Sequence, residues 1–179
     1  MLAFFANISM AQNKERVNAF NYNKNAQSYI TTAEQLMVQN RVDKAQKQMA
    51  NAKIELTRAK TSIDLAAENE ETKNDAKTWH YYGVIYLKIA TYPEFNDIDT
   101  EALTKCADAF KKLVELDETY FKNNYGEIIT YIQSITTNYF NQGALSYEAG
   151  DYAKAIECYK QAYNTMAIMG QKDNEALLV

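Results

Sequence analysis

Only five glycines and one proline occur in the 179 residues, against ordinary usage of about 7% and about 5%. Sandwiches, barrels and doubly wound sheets of this length need many tight turns, and such turns consume Gly, Pro and Asn-Gly pairs. The shortage argues against those folds and predicts a chain that is helical nearly throughout. One histidine and two cysteines are too few for a His/Cys zinc cluster or a Cys/His nucleophile. No metal, cofactor or catalytic residue is therefore expected. The 19 basic residues are scattered and outnumbered by 23 acidic ones, leaving a net charge of −4, which speaks against a nucleic-acid surface. No apolar run reaches the ~20 residues needed to cross a bilayer, so no membrane span is expected.

What is present fits a folded domain. Hydrophobic residues make up 47% and charged residues 23%, a balance that excludes intrinsic disorder. Fourteen tyrosines suggest helix packing with polar tips at the surface, or a groove that holds peptides. Apolar residues recur at three- and four-residue steps in Ile54, Leu56, Ala59, Ile63 and Ala66. The same spacing runs through Leu103, Ala107, Phe110, Leu113 and Leu116, and through Ile128, Tyr131, Ile132, Ile135 and Tyr139. Each set is one face of an amphipathic helix. The polar stretch 68–75 is a break ending in an N-cap at Asp75.

Internal repetition carries more. Tyr139 is followed by Gly143, a Gly150-Asp151-Tyr152 turn, then Ala155, Tyr159 and Ala162. Gly143 and Ala155 let two antiparallel helices approach, with Tyr139, Tyr152 and Tyr159 filling the space beside them. Gly150 ends the first helix and Asp151 caps the second. A second copy reads Trp79-x2-Tyr82-Gly83-x2-Tyr86, with Cys106, Phe110 and Leu113 on its partner helix. Between its helices lies an inserted loop, 91–99, holding Pro93. A third, degenerate copy places Tyr29, Ala33, Leu36, Ala45, Met49 and Ala52 at the same spacings. These segments resemble the tetratricopeptide repeat. The resemblance implies an all-α fold of antiparallel helix pairs stacked as a right-handed solenoid, about three repeats near 26–67, 75–118 and 124–169. The copies lie 50 to 60 residues apart, beyond the roughly 34 of that repeat, so lengthened helices are expected near 42–67 and 124–148.

Repeats of this kind bind extended segments along the concave side, which implies a non-enzymatic scaffold for a protein or peptide partner. Carried over, the groove residues are Gln27, Ile30, Thr31 and Glu34; Lys77, His80, Tyr81, Val84 and Lys88; and Phe140, Asn141, Ala144 and Tyr147. One subgroup clamps chaperone C-termini with Lys and Asn at paired places. Here those places hold His80 with Val84 and Phe140 with Ala144, so that clamp is absent. The groove that remains is mixed aromatic and weakly polar and suits an apolar or aromatic peptide, unless neighbouring helices fill it. The alternative function is a structural helical spacer or oligomerisation module of a larger envelope protein. The oligomeric state stays open.

Three smaller features have plain readings. Glu94, Asn96, Asp97, Asp99 and Glu101 are spaced faintly like a calcium loop but lack its central Gly and closing Glu; Asp99 or Thr100 reads as a helix cap. Cys106 and Cys158 sit on second helices of different repeats and read as buried thiols. At the N-terminus, residues 1–11 end in Ser9-Met10-Ala11 after an apolar run, like the remnant of a signal peptide, although no Lys or Arg precedes Lys14. That implies a bacterial periplasmic or secreted protein, or a cytoplasmic one if the segment is a retained helix. Residues 12–179 form the single domain, with a helix stop at Gly170 and a further helix starting over 174–179, as in a piece of a longer chain.

Overall fold

The computed structural model describes residues 2–170, with side chains over 14–169. Among the described residues the regular elements are seven α-helices and one 3-10 turn. They are α1 (Leu2–Val38), α2 (Val42–Glu68), α3 (Ala76–Thr91), α4 (Ala102–Leu116), α5 (Glu118–Asn123), α6 (Tyr125–Glu148) and α7 (Tyr152–Gly170), with the 3-10 turn at Pro93–Phe95. The expected all-α helical-repeat fold is what forms. α1 packs on α2, α3 on α4 and α6 on α7, and the pairs stack through α2 on α3 and α4 on α6. The helix expected over 174–179 lies outside the described residues. No helix among the described residues is long and apolar enough to cross a membrane.

Local chemistry explains the helix ends. α6 closes with Gly150 at φ +79°, where the Asp151 N–H donates to the Ser146 carbonyl at 2.9 Å and the Gly150 N–H to that of Tyr147 at 3.0 Å. This is the paired-bond termination that needs a left-handed residue. α1 ends the same way with Asn40 at φ 54°, through Arg41 N–H to Leu36 O at 2.9 Å. The Asp75 and Asp151 carboxylates accept backbone N–H bonds from Lys77 and Lys154. A non-glycine residue at φ > 0 costs about 1–2 kcal/mol, so Gly150→Ala should lower the stability by that amount, read from the urea midpoint at constant slope. Asn40→Gly, at the equivalent turn, should be neutral or slightly stabilising.

The core runs along the helix pairs. Ile63, Ile85, Phe110, Leu113, Ile128, Ile132 and Ile135 are fully buried in it. Two close approaches depend on glycine. A Cβ at Gly83 would lie 2.6 Å from the Phe110 ring, and one at Gly143 would lie 2.7 Å from the Tyr159 ring. Two details differ from expectation. Ile54 lies half exposed, and Tyr152 is exposed against Tyr147 rather than between the helices. The inserted loop is a structural peg: Phe95 is fully buried with Ala26, Ile30, Ala52 and Leu56 in a second apolar cluster between α1 and α2. Its carboxylates face lysines. Asp97 bonds Lys53 at 2.7 Å, and Asp99 bonds Lys105 at 2.7 Å while accepting the Glu101 N–H at 2.9 Å.

Candidate binding cleft

Lys77, His80, Tyr81, Val84 and Lys88 recur at helical spacing, so one stripe of α3 carries all five. The adjoining stripe, with Gly83, is pressed onto the Phe110 ring of α4. The Asp75 cap starts α3 here, and Arg16 of α1 pairs with the same carboxylate. The stripe faces a cleft of about 690 Å³. One wall is α1, through Phe20, Asn23, Lys24 and Gln27; the other is Tyr120 and Asn124 at α5 with Glu127 and Tyr131 on α6.

His80 lies deep, with only 5% of its surface exposed. Its Nδ1 shares a hydrogen bond with the Tyr120 hydroxyl at 2.9 Å, and its Nε2 is 3.9 Å from a Glu127 oxygen. Burial pushes its pKa below the ordinary value, against the opposing pull of Glu127. It is therefore a neutral imidazole at pH 7, with one donor and one acceptor nitrogen. Tyr131 donates its hydroxyl to the other Glu127 oxygen at 2.8 Å and stacks on Phe110 with ring centres 5.6 Å apart. The cleft floor thus rests on the core. Phe20 leans on Tyr81 at 5.2 Å, and the Lys77 ammonium lies 5.8 Å from the centre of the Tyr81 ring.

Lys88 is the electrostatic oddity. Its Nζ donates to the Asn23 side-chain oxygen at 2.7 Å, and burial lowers its pKa to about 8. Removing an ammonium from water is costly unless an anion replaces the water, and an amide oxygen is only a partial substitute.

The other expected groove residues fall elsewhere. Ile30 is fully buried in the cluster around Phe95. Glu34 accepts from the Tyr92 hydroxyl at 3.0 Å, and Thr31 is exposed outside the cleft. Phe140, Asn141, Ala144 and Tyr147 do not line it, being turns beyond Tyr131 on the long α6. Phe140 packs against Tyr159 of α7, and Tyr147 is 61% exposed. Seven lining residues were not foreseen: Phe20, Asn23 and Lys24 one or two turns before Gln27 on the same face of α1, and Tyr120, Asn124, Glu127 and Tyr131. For α1 the same three- and four-residue step, run backwards from Gln27, reaches them. Asp117 followed by Glu118 signals the start of α5, and the Asp117 side chain accepts the Tyr120 N–H at 2.8 Å.

A second cavity of about 630 Å³ lies at the α1–α2 turn, lined by Ala33, Met37, Ala45, Met49 and Tyr92 among others. It is more apolar and gathers fewer polar side chains. Among the described residues no three His, Cys, Asp or Glu side chains converge as a metal site requires. Cys106 and Cys158 are free and buried. The Cys106 thiol donates to the Gly83 carbonyl at 3.1 Å, and burial raises its pKa well above the ordinary range, which keeps it unreactive.

Compared with known families, the chain matches the tetratricopeptide repeat over residues 137–165, from the middle of α6 to near the end of α7. It matches no curated protein and no solved structure. The match covers one helix pair, and the helix pairs stacked along the described chain give it an all-α helical-repeat fold similar to that of tetratricopeptide-repeat proteins.

Proposed function

We propose that the chain is a non-enzymatic scaffold that binds a segment of a partner protein in the cleft between α1, α3 and α6. The observation that carries this is the α3 stripe from Lys77 to Lys88, whose residues line an open cleft between α1 and α6. Eleven helical steps span about 16 Å, the length of about five extended residues. Tyr81 and Tyr131 offer contact area, and Asn23, Gln27 and Asn124 offer amides for a bound backbone.

A second reading, a spacer that associates through its end, is favoured by one observation. Ile156, Tyr159 and Tyr163 share one face of α7 and lie exposed, with Leu145 and Tyr147 exposed on α6, and exposed apolar patches attract partners.

Peptides selected by display on the immobilised full chain separate the two. Under the cleft reading, Val84→Arg fills the groove and weakens the selected peptides at least about tenfold, or 1.4 kcal/mol, whereas Phe140→Ala with Tyr147→Ala leaves them unchanged. The reverse pattern would select the end face.

A further inference from the structure

We propose that the segment held in this cleft carries a carboxylate and that Lys88 receives it. The inference rests on the cleft reading and names the ligand's chemistry. Several lysines elsewhere sit in ion pairs: Lys53 with Asp97, Lys73 with Glu70, Lys105 with Asp99 and Lys122 with Glu118. Lys60 makes the sharpest contrast. It is partly buried like Lys88, but Asp64 at 2.9 Å and Asp99 at 3.5 Å flank its ammonium, and its pKa is raised. Among the described residues, no carboxylate comes within ion-pair distance of Lys88, nor of Lys24 or Lys77 at the cleft rim.

Three ammonium groups thus gather at one cleft, Lys24 and Lys77 exposed at its rim and Lys88 the sheltered one. The one acid there, Glu127, is engaged by the Tyr131 hydroxyl and faces His80 rather than Lys88. His80, held neutral, adds no charge. The cleft is thus locally positive on a molecule of net charge −4, which draws an anionic segment towards it. Once inside, a carboxylate replaces the water Lys88 has lost and forms a charge-assisted bond, stronger in a sheltered site than at the surface. Lys88 lies a turn beyond the His80/Val84 pair on α3.

The carboxylate could come from an acidic side chain or from a free C-terminus, and three fluorescent peptides of about six residues distinguish these sources in titrations of the full chain. The first alternates glutamate and leucine and is acetylated and amidated. The second replaces every glutamate by glutamine. The third is the glutamine peptide with a free C-terminal carboxylate. The first or the third should bind at least about tenfold tighter than the second, and whichever does identifies the source. Lys88→Met should erase that preference and raise the thermal midpoint, because a desolvated charge is removed; Lys88→Arg should retain the preference. Equal binding of all three peptides, a preference that survives Lys88→Met, or a lowered midpoint in that variant overturns the inference. So does the absence of binding by any of the three at about 1 mM. The cleft reading is decided separately, by Val84→Arg against the display-selected peptides.

Discussion

Phe95→Ala is expected to lower the stability by about 3–5 kcal/mol, the usual loss for a fully buried phenylalanine. The residue belongs to a three-residue 3-10 turn in an inserted loop, a place where substitution is ordinarily tolerated. Here the ring is the centre of an apolar cluster. Ala26 and Ala52 leave a socket between α1 and α2, Ile30 and Leu56 line it, and Phe95 fills it without remaining exposure. The socket cannot collapse on an alanine, since two long helices hold its walls. The urea midpoint should fall with little change in slope, as for a loss of packing without a change in unfolded-state compactness. Asp97→Ala supplies the contrast. Its pairing with Lys53 is 71% exposed on the aspartate side, so its loss should leave the urea midpoint almost unchanged. A Phe95→Ala loss under about 1 kcal/mol would mean the loop is tethered by its polar contacts instead.

That peg was not legible in the sequence, for a physical reason. Periodicity reports faces of regular elements, and a three-residue turn has no period; Phe95 meets α1 and α2 only through tertiary packing. The helices themselves were legible because their signals are local. Few glycines, Asp75 and Asp151 as caps, and Gly150 at a left-handed turn all act within a few residues. At the first turn Asn40 takes the left-handed place that Gly150 takes at the third, so a search for glycine passes over it. The α3 stripe was legible because one helix sets its own register. The opposite wall was not. It depends on how successive pairs stack, and α5 and the length of α6 bring Glu127 and Tyr131, rather than Phe140 and Tyr147, to face α3. Nor could a linear reading tell whether Lys88 has an acidic neighbour. That is decided by Asn23, which lies on another helix.

The second large effect ties this register to the core. Phe110→Ala should cost about 3–5 kcal/mol, and the reverse error, Gly83→Ala, should also destabilise. The added methyl would sit 2.6 Å from Phe110 Cε2 and 2.8 Å from Cζ. The ring has no free side to retreat to, being fully buried with Tyr131 stacked on it and His80 6.2 Å away. Overpacking costs about 1–3 kcal/mol, while alanine in place of glycine inside a helix returns about 1 kcal/mol; with a contact this short the net should be a loss, of up to about 2 kcal/mol. These opposing contributions predict a change of sign in a double-mutant cycle. With Phe110 already alanine the clash is gone and only the helical preference remains, so Gly83→Ala should then stabilise by about 1 kcal/mol. The same ring supports Tyr131 and His80 beneath the cleft, so Phe110→Ala should weaken peptide binding even where the variant remains folded. Equal destabilisation by Gly83→Ala in both backgrounds would show that the glycine makes room for the α4 backbone rather than for the ring. The cleft floor would then be independent of the close approach of α3 to α4.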